Sequence, residues 1–133
     1  MKKTILFVLS VLLLTSCGSS ETEKNEARRI LSQEAEVTNK TIKGFQIDFA
    51  TTSDGCEFSN DVFYYYYTIN EQYITIESIR EREGELKESI KTTLESMPET
   101  QNLIKHIKTI DGKMRYQYTG SQSHKSFTIT LDF

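Results

Sequence analysis

Apolar residues recur along this chain with two periods, and the points where the period changes divide it into elements. From Glu26 to Thr38, Ile30 and Leu31 follow Ala27 by three and four residues, and Ala35 follows Leu31 by four. That spacing gives a helix one apolar side. Glu23 and Glu26 stand near its start, where the helix dipole favours negative charge. Phe45, Ile47 and Phe49 then alternate with Gln46, Asp48 and Ala50, which predicts a strand with one covered face. Thr52-Ser53-Asp54-Gly55 carries turn chemistry, and Asn60-Asp61 is a second polar break. Val62 to Ile69 is β-branched and aromatic throughout, so it predicts the next strand. These two strands are expected to pair antiparallel across a long hairpin loop.

Ser78 to Ser96 predicts a second helix, with Ile79, Leu86, Ile90, Leu94 and Met97 along one side. Gly84 weakens its middle by ~1 kcal/mol relative to Ala and moves its start toward Glu85. Pro98 ends it. A shorter helix follows from Glu99 to Thr109, with Leu103, Ile104 and Ile107 inward. Asp111-Gly112 marks a turn. Lys113 to Thr119 alternates Met114, Tyr116 and Tyr118 with Arg115 and Gln117. After Gly120-Ser121, Ser126 to Phe133 alternates Phe127, Ile129, Leu131 and Phe133 with Thr128, Thr130 and Asp132. The order α-β-β-α-α-β-β predicts an α+β fold, a four-stranded antiparallel sheet with helices packed on one face.

The N-terminal pattern differs. Lys2-Lys3 precede an apolar run from about Ile5 to Leu14, too short to cross a bilayer, since a spanning helix needs about 20 residues. The run ends in Leu14-Thr15-Ser16-Cys17. That layout resembles the lipobox of bacterial lipoprotein precursors. The resemblance implies a signal peptide at residues 1–16, cleaved so that Cys17 becomes the first mature residue. Cys17 would then carry a diacylglycerol on sulfur and an N-acyl group, the palmitate-type lipid of a membrane-anchored lipoprotein. Two or more acyl chains give stable anchoring, where one does not. Residue 18 is Gly rather than the Asp that retains Gram-negative lipoproteins at the inner membrane. This implies the outer membrane, if the host has one. Residues 17–25 lack a large apolar side chain and read as a flexible tether. Residues 26–133 read as a single domain.

A second resemblance covers roughly residues 30–133. Tyr65-x-Tyr67-x-Ile69, Leu86-Lys87-x-x-Ile90, Pro98-Glu99-Thr100-x-x-Leu103-Ile104-Lys105 and Tyr116-x-Tyr118 are similar to small secreted or lipid-anchored bacterial α+β domains. These are packing motifs and imply a fold rather than an activity. Such domains often have a Cys late in the second helix. Leu94-Glu95-Ser96-Met97 lacks one, so no disulfide carries over.

Charge and chemistry narrow the function. Without Lys2 and Lys3, 14 basic side chains face 19 acidic ones, a balance of −5. That argues against nucleic acid, which needs clustered Lys and Arg. With Cys17 lipidated, Cys56 is unpaired. Cys56, His106 and His124 are the only thiol–imidazole candidates, and nothing in the sequence brings a thiolate beside a base. Two histidines and one free cysteine do not make a metal site. Glu77, Glu81, Glu85 and Glu88, interleaved with Arg80, Arg82 and Lys87, read as a solvated helix face. Asp54-Gly55 and Asp111-Gly112 are too isolated for calcium loops. The expectation is no enzyme, no metal and no cofactor beyond the covalent lipid on Cys17.

The tyrosine run supplies a binding candidate. Alternation sends Phe63, Tyr65, Tyr67 and Ile69 to the core, to meet Tyr116, Tyr118, Phe127, Ile129 and Leu131. Tyr64 and Tyr66 are left on the open face, with Arg115, Gln117, Thr128 and Thr130 beside them and Gln46 and Asp48 nearby. Tyr and Arg are enriched at interface hot spots, although Tyr also simply suits a half-exposed strand. The leading expectation is a lipid-anchored, non-enzymatic envelope protein that binds another macromolecule. It would serve as an assembly factor for an envelope complex or as an immunity or inhibitor lipoprotein. The membrane would be contacted through lipid, and a protein partner on the open face. A small-ligand carrier with a cavity between sheet and helices is the alternative, and an envelope hydrolase or thiol enzyme the third.

Overall fold

A computed structural model describes residues 20–133. The lipobox, the cleavage site and Cys17 lie outside the described residues. Helix α1 (Glu21–Ile42) opens the domain. The Ser20 hydroxyl accepts the Glu23 N–H at 3.2 Å, and Glu21 and Glu23 occupy the first turn. A capped, acidic first turn is a helix start with its dipole compensated. The helix therefore begins inside the stretch expected to be tether, and residues 21–25 are helical. That turn gave no apolar signal because Glu21, Thr22 and Glu23 are exposed and cover nothing. Further on, Ala27, Leu31 and Ala35 are buried as the spacing predicted.

The first strand is displaced from its expected place. Phe45, Ile47 and Phe49 are exposed, and only Gln46 makes an isolated bridge, to Thr52. Strand β1 is Thr51–Ser59 and runs through the expected turn. The turn-type residues there build a bulge. The register shifts between Ser53 and Gly55, the Ser53 hydroxyl accepts the Gly55 N–H at 3.2 Å, and Gly55 has φ +106°. A bulge takes up one extra residue without ending the strand. Glycine is also required by α1 above it, because a Cβ at Gly55 would lie 1.9 Å from Asn39 Oδ1. That same oxygen accepts the Cys56 N–H at 3.0 Å. The expected long loop is a tight turn, Asn60-Asp61, with φ of 51° and 62°. Two positive-φ residues of this type match the right-handed twist of a hairpin.

Strand β2 (Val62–Ile69) follows, then α2 (Ile76–Glu81), α3 (Glu83–Ser96), α4 (Pro98–Thr109), β3 (Lys113–Gly120) and β4 (Ser126–Asp132). The expected second helix is two, broken at Arg82 (φ −104°, ψ 20°) two residues before Gly84. The sheet order is β1-β2-β3-β4. Both hairpins are antiparallel as expected, but β2 and β3 pair in parallel, so the sheet is mixed. The three helices between them carry the chain back to the end where β2 began, and a crossover of this kind makes the next strand parallel.

The helices cover one face. Phe63, Ile69, Met114, Ile129 and Leu131 on the sheet meet Leu31, Ile76 and Ile107 on the helices, all at most 1% exposed. α1 lies over β1 and against α4. Arg28 grips Asp61 of the first turn with two hydrogen bonds, 2.9 and 3.2 Å. The tyrosines assigned to the core form a parallel row on this face. Tyr65 stacks on Tyr116, Tyr67 on Tyr116 and Tyr118, and Tyr118 on Phe127, with centroids 5.0 to 6.2 Å apart.

Candidate functional site

The opposite face carries the six residues expected there. Parallel pairing sets Tyr64 beside Arg115 and Tyr66 beside Gln117. Antiparallel pairing sets Arg115 beside Thr130 and Gln117 beside Thr128. Two rows therefore cross three strands, Tyr64–Arg115–Thr130 and Tyr66–Gln117–Thr128. Period-two alternation puts one residue of each adjacent pair on this face, which is why the sequence could place them. Thr128 is exposed and the other five are half-buried.

The side chains on this face hold one another. The rings of Tyr64 and Tyr66 are 3° from parallel, with centroids 5.8 Å apart. The Arg115 guanidinium carbon sits 5.9 Å from the Tyr64 ring centre, and Arg115 Nη1 donates to the Tyr64 hydroxyl at 3.4 Å. A cation over a tyrosine face contributes about 0.5–1 kcal/mol at an exposed site. Tyr66 donates to Glu57 Oε1 at 2.5 Å, and Thr68 donates to Asp54 Oδ2 at 2.5 Å. Partial burial, then the Glu57 carboxylate, raises the Tyr66 phenol, so it remains a donor at neutral pH.

Glu57 and Asp54 extend the face onto β1, and the sequence reading missed both. Misplacing β1 hid them; once Thr51–Ser59 is a strand, Glu57 pairs with Tyr64 and their side chains share a face. The same displacement removes Gln46 and Asp48 from the site. They sit in the connection before β1, where Asp48 accepts the Ala50 N–H at 2.9 Å and lines a cavity on the helix side of the sheet.

Cys56 was expected in a loop and instead lies in β1, 6% exposed, with its thiol donating to the Ala35 carbonyl at 3.3 Å. Burial, with a smaller contribution from Glu34, pushes the thiol up to about 11. A nucleophilic cysteine needs the opposite shift. His106 is half-buried on α4, and His124 is exposed in the β3–β4 turn. Among the described residues no three His, Cys, Asp or Glu side chains converge to hold a metal ion. No described helix is long and apolar enough to cross a membrane. The open face presents aromatic rings, amide, hydroxyl and guanidinium groups on three paired strands.

No family model and no curated protein matches the chain. Among solved structures, it is similar to the crystal structure of a "putative secreted protein" from Pseudomonas aeruginosa, at 13% identity and a TM-score of 0.68, over 86% of this chain and 96% of that one. A likeness at that identity shows the α+β fold alone.

Proposed function

We propose that this chain is a lipid-anchored, non-enzymatic protein of the bacterial envelope that captures a protein partner on the Tyr64/Tyr66/Arg115 face. The observation that carries the reading is the pair of side-chain rows on three hydrogen-bonded strands, opposite the helix-covered face. Tyr and Arg in pre-ordered positions lose little side-chain freedom on binding, which favours affinity. The lipobox resemblance at Cys17 supplies the anchor, and Gly18 favours the outer membrane where the host has one. The similar structure bears the description of a secreted protein, which agrees with an extracytoplasmic place. Anchoring would act by confinement, raising the local concentration of the face near its partner. An assembly factor or an inhibitor of an envelope-targeted toxin would both work this way.

The test is crosslinking and affinity purification from the native envelope, with the chain metabolically labelled by palmitate. Label is expected on the wild type and absent from Cys17→Ser. The double variant Tyr64→Ala/Tyr66→Ala should lose partner capture at least about tenfold, the scale of one hot-spot residue, while keeping the fold by circular dichroism. Undiminished capture would remove the face from the reading. An unlabelled wild-type chain that keeps its initiator Met would remove the anchor.

A further inference from the structure

The helix-covered side of the sheet holds a second candidate site, independent of the open face. Leu86, Ile90 and Leu94 of α3 stand across a cavity of about 720 Å³ from Tyr67, Tyr116 and Tyr118. The tyrosines form the sheet-side wall of the space. Their rings lean on one another, 1° from parallel for Tyr67 and Tyr116 and 20° for Tyr67 and Tyr118. α3 approaches the sheet at β4, and along its 14 residues only Leu94 is buried. The volume falls within the ~300–1,000 Å³ typical of small-molecule sites.

The polar groups inside narrow the chemistry. Tyr116 and Tyr118 are 6% and 8% exposed, and neither phenol bonds to another described residue. No fully enclosed side-chain oxygen among the described residues lacks a partner. The two hydroxyl oxygens therefore keep accessible surface, and since both residues line the cavity they offer it hydrogen-bond donors with no acceptor among the described residues. Burial keeps both protonated, Tyr118 pushed up to about 12. The opening carries exposed Ile47 and Phe49, 52% and 70% accessible, which offer hydrocarbon a path in. Its charged groups are Asp48, Glu85 and Arg82, and Arg82 is engaged by Glu85 at 3.1 Å. An anionic head group would meet Asp48 and Glu85 with no free cation among these three. A neutral one would meet no such penalty.

We propose that this cavity binds an uncharged, single-chain acyl ester. Its hydrocarbon lies against Leu86, Ile90 and Leu94, and its carbonyl oxygen accepts a hydrogen bond from Tyr116 or Tyr118. Aliphatic walls with a few donors in fixed places are what such a ligand requires.

The experiment uses residues 17–133 with Cys17→Ser, produced without the leader, so that neither acyl groups, nor the apolar run Ile5–Leu14, nor detergent competes. Thermal unfolding is followed against 1-monodecanoylglycerol and, separately, decanoate. The glycerol ester should raise the melting temperature saturably, as any ligand of the folded state does. Decanoate should bind at least about tenfold more weakly. Ile90→Trp puts an indole where the acyl chain would lie and should weaken binding at least about tenfold while the domain stays folded. Leu86→Phe serves the same purpose if Ile90→Trp unfolds. Tyr118→Phe should weaken binding about fivefold, the loss of one hydrogen bond. No saturable shift with the ester, or equal binding by a folded Ile90→Trp or Leu86→Phe variant, overturns the site. Decanoate binding as tightly as the ester overturns the neutral head group.

Discussion

Gly55 is the residue on which the join between α1 and β1 depends. Its φ of +106° is a conformation L side chains rarely adopt, and a Cβ would meet Asn39 Oδ1. Gly55→Ala should therefore destabilise the domain by about 1–3 kcal/mol, the usual cost of backbone strain of this kind, before the displaced Asn39 side chain is counted. Urea titration measures it, and a change under about 0.5 kcal/mol, the range of ordinary surface substitutions, would show that the packing there is loose. Tyr64, Tyr66, Arg115, Gln117, Thr128 and Thr130 were legible from the sequence because each lies in an unbroken run of alternation. Glu57 and Asp54 were not, because the bulge at Gly55 interrupts the period of their strand. The same interruption hides Cys56, whose turn-type neighbours predict a loop although it is among the buried residues beneath α1.

At the scale of elements, pattern succeeded where it reports burial and failed where it only imitates it. Phe45, Ile47 and Phe49 alternate like a strand but lie exposed, Ile47 and Phe49 beside the cavity mouth. Their apolar character belongs to a surface, and period alone cannot tell a covered face from an uncovered one. The helix over residues 78–96 was legible as apolar stripe and illegible as two pieces, since Ile79 and Leu86 keep their side across the break at Arg82. Gly84 sits just past that break, in the first turn of α3, with open space where a Cβ would go and no positive φ. Gly84→Ala should stabilise the domain by about 0.5 kcal/mol through lower unfolded-chain entropy and better helix propensity. A rise in the urea midpoint at unchanged slope checks it. A fall would mean that α3 needs its present freedom at that turn. A cavity between sheet and helices was allowed by the abundance of aromatic residues, but its walls, Tyr67 on β2, Tyr116 and Tyr118 on β3 and Leu86, Ile90 and Leu94 on α3, are set by tertiary packing that no local pattern reports.

The whole molecule shares a response to alkali. The Cys56 thiol moves from an ordinary 9.0 to about 11 and the Tyr118 phenol from 10.0 to about 12. Burial raises Tyr65, Tyr67 and Tyr116 as well. In each case the native state holds its proton where the unfolded chain releases it. The stabilisation is complete below the unfolded values and is lost as pH climbs through the folded ones. Stability should thus be level from neutral to about pH 9 and fall steadily between about pH 9 and 12, read as a declining urea midpoint. A flat profile to pH 12 would mean that these groups are freely solvated. The parallel join at the centre of the sheet has a different consequence, in time rather than in energy. Each hairpin closes over a few residues, but β2 can meet β3 only after residues 70–112 have been laid across the gap. Pairings so distant along the chain are the slow ones. The stacking of Tyr65 on Tyr116 belongs to that distant pairing, so the central join sets the pace at which the domain folds.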